Sequence, residues 1–156
     1  MSETDRATTL LDSALATGAL VTIATGGALI GLGMREGEAS RVFRLVGRVM
    51  LERFGIASNA VPLTSVALGY LHHLVVATLW GIVLGLMVLP LRGATRLLAV
   101  FLAVTAYVVF VTRWFPPVLR IGYSVTSSMP GVVPIAVALL AALLGAVWVA
   151  TAETRA

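Results

Sequence analysis

Four stretches of this chain, at about residues 13–34, 64–89, 94–112 and 129–151, are almost continuously apolar and carry no charge beyond their first turn. Each is long enough to cross about 30 Å of hydrocarbon as a helix, which takes roughly 20 residues. Asp12 and Arg35 bracket the first stretch. Pro62 and Pro90 bound the second, since a residue without a backbone N–H belongs at a helix end. The short turn Pro90-Leu91-Arg92-Gly93 makes the second and third helices an antiparallel pair. Arg113 closes the third stretch, and Pro134 is expected to kink the start of the fourth.

Between the first and second stretches the pattern becomes amphipathic. On a helix over about residues 39–54, Arg41, Arg44, Arg48 and Glu52 fall within an arc of roughly 80°, and Val42, Phe43, Val46, Val49, Met50 and Phe54 occupy the rest. Such a helix is expected in the headgroup plane, with Arg41, Arg44 and Arg48 toward lipid phosphates and the apolar face toward acyl chains. The alternative is a linker helix packed on the bundle's own end. Arg53 breaks the pattern on the apolar side.

Composition agrees with this pattern. Of 156 residues, 59% are hydrophobic and 12% charged, with a mean hydropathy of +1.01, whereas an ordinary soluble domain is about 45–50% apolar and about 25% charged. A soluble globular domain is excluded. The expected fold is all-α: a four-transmembrane-helix bundle with an amphipathic interfacial helix between helices one and two, forming a single membrane domain over residues 1–156. The absence of cysteine excludes disulfides, iron–sulfur clusters, thiolate zinc sites and cysteine nucleophiles. All 11 basic residues are arginine, a bias that suggests a high-GC bacterial genome and hence the bacterial cytoplasmic (inner) membrane. The net charge of +4 is concentrated in loops, which points to membrane lipids as partners and to no nucleic acid. The acidic start lacks the positive n-region of a cleavable signal, so the first helix is expected to be retained.

Seven arginines fall in the loops 35–63 and 113–128, and four (Arg6, Arg92, Arg96 and Arg155) on the opposite side. The positive-inside rule then places both termini outside. Trp114, Phe115 and Tyr123 beside two arginines in the loop 113–128 read as an interfacial belt.

Small residues at four-residue spacing let membrane helices approach closely. Helix one carries Ala14, Gly18, Thr22 and Gly26 in one ladder and Gly27 with Gly31 in another. Helix two carries Gly81 and Gly85, and helix four Ala138, Ala142, Ala146 and Ala150. Two small-residue faces on helix one exceed what one neighbour needs, so other membrane subunits, or the chain itself as a homo-oligomer, are expected partners.

Both histidines, His72 and His73, lie in the second apolar stretch, where ionisable residues are costly. Adjacent positions diverge by about 100°, so the two cannot chelate one metal. Either His72 or His73 is a satisfied hydrogen-bonding residue, with Tyr107, Thr105 or Thr78 as partner, or it ligates a cofactor. No cofactor is predicted outright; a haem or a (bacterio)chlorophyll-type pigment is the open alternative, and a haem would need a second ligand from a methionine or another chain. A small channel or transporter would use Tyr70, His73, Thr78, Thr105 and Tyr107 as a polar path. No carboxylate lies inside any apolar stretch, so paired-carboxylate chemistry has no material and no enzyme is expected.

The stretch GYLHHLVVATLWGIVLGLMV, with a proline near the helix start, resembles uncharacterised small four-helix membrane proteins of bacteria and archaea, in which a histidine shortly precedes a Gly-xxx-Gly helix. The resemblance covers about one helix and the overall hydropathy. It implies a four-helix membrane fold and carries over no activity and no functional residue. The expected role is that of a structural or accessory subunit held by small-residue helix packing.

Overall fold

The computed structural model describes residues 3–56, 62–114 and 129–153. It contains α1 (Glu3–Arg35), α2 (Arg41–Arg53), α3 (Pro62–Val88), α4 (Gly93–Val109), which continues as a π-helical turn (Phe110–Trp114), and α5 (Met129–Glu153). Among the described residues there is no strand. All but α2 contribute a segment long and apolar enough to cross a membrane, which is the architecture of a multi-pass membrane protein. The aromatic loop expected as an interfacial belt lies mostly outside the described residues.

α1 is the hub. α3 packs along one side of it and α5 along another, while α4 packs on α5 and only lightly on α3. Ala14 opposes Gly85 and Gly18 opposes Gly81, so α1 and α3 are antiparallel. Leu29 clusters with Ile135, and Thr17 shares a cavity lining with Ala146, so α5 also runs antiparallel to α1. The four long helices therefore alternate in direction, and α1 begins beside the end of α5. Val21, Val88, Val100, Leu139 and Leu143 form one core cluster; Leu29, Leu32, Val42, Phe43 and Ile135 form the other.

α1 begins about ten residues before the apolar stretch that marks it. Hydropathy registers where a helix leaves hydrocarbon, whereas the intrahelical hydrogen bonds continue into the polar Thr-Asp-Arg-Ala-Thr-Thr segment. Pro134 sits inside α5 without ending it, which a membrane helix tolerates when neighbours satisfy the freed carbonyl.

Two glycines in left-handed conformation punctuate α2. Gly37, at φ +92°, ends α1: the N–H of Glu38 reaches Gly33 O and that of Gly37 reaches Met34 O. Gly55, at φ +72°, ends α2 in the same way, with Ile56 N–H on Leu51 O and Gly55 N–H on Glu52 O. Both are Schellman closures, which satisfy the last helical carbonyls. At the α3–α4 turn, Arg96 donates from Nη2 to Leu89 O at 2.6 Å and from Nε to Leu91 O. Its guanidinium thereby caps the negative end of α3.

One expectation needs correction. The amphipathic helix forms, as Arg41–Arg53, but its apolar face is not turned to acyl chains. Val42, Phe43, Val46, Gly47 and Leu51 are buried, mainly against α3. Phe43 opposes Gly69 and Gly47 opposes Ser65, so α2 runs antiparallel beside the first turns of α3 rather than across the end of the bundle. The arginine face is not committed to phosphate either: Arg41 pairs with Glu36 at 2.7 Å, and Arg44 pairs with Glu38, which also accepts from Ser40 at 2.6 Å.

Candidate functional site

The buried face of α3 reads Ser65, Gly69, His73, Ala77, Gly81, Gly85, one residue in every four, and all but the histidine are small. Four residues advance an α-helix by 400°, so each step of this ladder drifts about 40° around the axis. Over its five steps the ladder turns through about half the helix circumference. Its two halves must therefore meet different partners, and they do. Gly81 and Gly85 face α1, whereas Ser65 and Gly69 face α2.

The fit on both sides is at backbone distance. A Cβ on Gly81 would stand 2.7 Å from Gly18 Cα, and one on Gly85 3.1 Å from Ala14 Cα. A Cβ on Gly18 would reach Thr78 O at 2.9 Å. The α2 side is tighter still: Cβ atoms on Gly47 and Gly69 would lie 1.8 Å from Ser65 O and Phe43 O respectively.

His73 sits where the ladder passes from one partner to the other. It is 7% exposed, and its Nε2 lies 3.2 Å from Thr22 O on α1. A carbonyl oxygen can only accept, so Nε2 carries the proton and donates. Gly26 makes the approach possible, since a Cβ there would stand 3.2 Å from Nε2. On the other flank the imidazole meets Phe43 of α2 edge-on, with ring centroids 5.8 Å apart, and Phe43 also contacts Tyr70. One side chain thus touches α1, α2 and its own helix. About one turn away, Thr22 and Thr78 join α1 to α3 through their hydroxyls at 2.9 Å. The Thr22 proton is committed to Gly18 O, so Thr78 donates in this pair.

Of the residues expected from sequence to pack helices, Gly18, Gly81 and Gly85 meet in this seam, and Ala142 and Ala146 are buried where α5 packs on α1. Gly27 and Gly31 do not join them: they face outward, with nothing within 4 Å of where a Cβ would stand. His72 is half-buried one position round from His73. The partner of His73 is a backbone carbonyl of α1, not Tyr107, Thr105 or Thr78. The polar path drawn from Tyr70 to Tyr107 is dispersed, since Tyr70 and Thr105 are exposed while His73 is enclosed between helices. Sequence reasoning missed Gly47, Gly69, Ser65 and Gly26. The four-residue ladder through His73 and the glycine in the middle of an amphipathic helix were the signals present, because Gly costs about 1 kcal/mol there unless close packing requires it.

Among the described residues no group of three or more His, Asp or Glu side chains is placed to hold a metal. The seam holds one imidazole and two paired hydroxyls, which set the register of three helices. No known protein family, curated protein or solved structure matches this chain.

Proposed function

We propose that this chain is a non-enzymatic integral membrane protein of the bacterial cytoplasmic membrane, with both termini outside, acting as a structural or accessory subunit of a larger membrane complex or of a homo-oligomer. The support lies on α1. Its first small-residue face is filled by α3, and a further side is taken by α5. Its second, Gly27 and Gly31, opens outward beside exposed Ile23, Ile30 and Met34. In hydrocarbon, helices associate through close backbone approach rather than through a hydrophobic force. A glycine groove flanked by larger side chains is therefore a receptive face for another helix.

The test is affinity purification of the tagged chain in mild detergent, with its partners identified by mass spectrometry and its visible absorbance recorded. Subunits arriving in fixed ratio, or a defined homo-oligomer, are expected, and both should be lost in Gly27→Leu and Gly31→Leu while the monomer keeps its thermal stability. A monomer with nothing attached overturns the proposal. A coloured preparation would replace it with haem or pigment binding.

A further inference from the structure

Where α1 begins and α5 ends, the two helices enclose a cavity of about 290 Å³. It exists because α5 presents Ala146 and Ala150 there, whereas deeper in the bundle Leu139 and Leu143 fill the same interface. One end of the lining is apolar, with Leu20 and Val149; the other holds Asp12, Ser13 and Thr17.

The polar end can only accept hydrogen bonds. Ser13 spends its hydroxyl proton on Thr9 O at 2.9 Å, and Thr17 spends its own on Ser13 O at 2.8 Å. An ionised Asp12 has no proton to give. No Arg, Lys or His is among the described lining residues. Because Gly85 opposes Ala14, Asp12 stands within about a turn of the level at which α3 gives way to the Leu89–Arg92 turn, which is the depth of lipid headgroups.

We infer that this cavity is a binding site for the primary ammonium of an amphiphile, of the ethanolamine-phospholipid type: the ammonium at Asp12 and Ser13, the first carbons of the chain along Leu20 and Val149. The volume suits a headgroup rather than a whole lipid, lying at the lower limit of ligand pockets, about 300 Å³. Three N–H donors meet an acceptor-only wall. A phosphatidylglycerol headgroup brings no cation, and a choline headgroup has no N–H to donate.

The purified full chain in non-ionic detergent is titrated with short-chain phosphatidylethanolamine, with the choline and glycerol lipids of the same chain length, and with free ethanolamine, and retention is read by native mass spectrometry. One ethanolamine lipid per chain is expected, held about fivefold or more above the other two. Asp12→Asn should weaken it by about fivefold, the scale of an exposed ion pair. Ala150→Leu should abolish it by filling the space without lowering the melting temperature. Equal retention of all three lipids overturns the inference, as does binding unchanged by Asp12→Asn or by Ala150→Leu. Free ethanolamine binding as tightly as the lipid would confirm the ammonium site and make its source the soluble amine.

Discussion

Gly47→Ala adds one methyl group and separates two accounts of α2. If α2 rests on lipid, an alanine there should help, because Ala exceeds Gly in helix propensity by about 1 kcal/mol. In the docked arrangement the new Cβ falls 1.8 Å from Ser65 O and 2.6 Å from its carbonyl carbon. Real Cβ atoms essentially never come within 3.0 Å of such an atom, so α2 must withdraw by about 1.2 Å, and the obstacle is backbone that no rotamer change can move. A gap of that order forfeits a quarter to a half of each dispersion contact across the interface, which here involves Val42, Phe43, Val46 and Leu51. Overpacking costs about 1–3 kcal/mol, so the propensity gain leaves a net loss of about 2 kcal/mol. The same substitution at Gly27, where nothing lies within 4 Å, should be neutral or stabilising by up to about 1 kcal/mol. Thermal or denaturant unfolding in micelles measures both. Because the chain has no cysteine, Val46→Cys adds a single reporter thiol, protected in the parent and rapidly labelled once Gly47→Ala lifts α2. Equal stabilities for Gly47→Ala and the parent, with the thiol still protected, would refute docking through these glycines.

Gly81→Leu should behave as a folding mutation and Gly27→Leu as an assembly mutation: the first drives a side chain into Gly18 Cα at 2.7 Å and lowers monomer stability, while the second leaves the monomer's melting intact and shifts only its oligomeric state on size-exclusion chromatography. A double-mutant cycle of Thr22→Val and Thr78→Val should return a coupling of about 0.6 kcal/mol, and no more than about 1.7, the range of interhelical hydrogen bonds in membranes. His73→Leu removes the donor to Thr22 O and should cost about 1 kcal/mol in denaturant unfolding, and a loss confined to local thiol exposure on α2 would assign the residue to α2 docking alone. Arg96→Gln withdraws the guanidinium from Leu89 O and Leu91 O and should lower the melting temperature by the equivalent of about 1 kcal/mol.

Much of the architecture is local and was legible from the chain alone. Transfer of a segment into hydrocarbon depends on its own side chains, so runs of apolar residues located four helices, and prolines and charges bounded most of them to within a few residues. The arc of Arg41, Arg44, Arg48 and Glu52 likewise marked α2 as amphipathic before any partner was known. What covers its apolar face was not local. Lipid and a neighbouring helix are equally apolar, and hydropathy cannot tell them apart; the reciprocal notches at Gly47 and Gly69 decide for the helix. The glycine pairs make the same point. Gly27 with Gly31 and Gly81 with Gly85 have one spacing and one chemistry, yet the first pair opens outward and the second is closed on Gly18 and Ala14. Small residues permit close approach without naming the partner, and the choice follows from azimuth. The 40° drift of a four-residue ladder carries α3 from α1 to α2, with His73 at the crossing. Composition and period determined which segments enter the membrane; which faces meet there was decided only when the helices were set against one another, because close packing is a property of two surfaces at once.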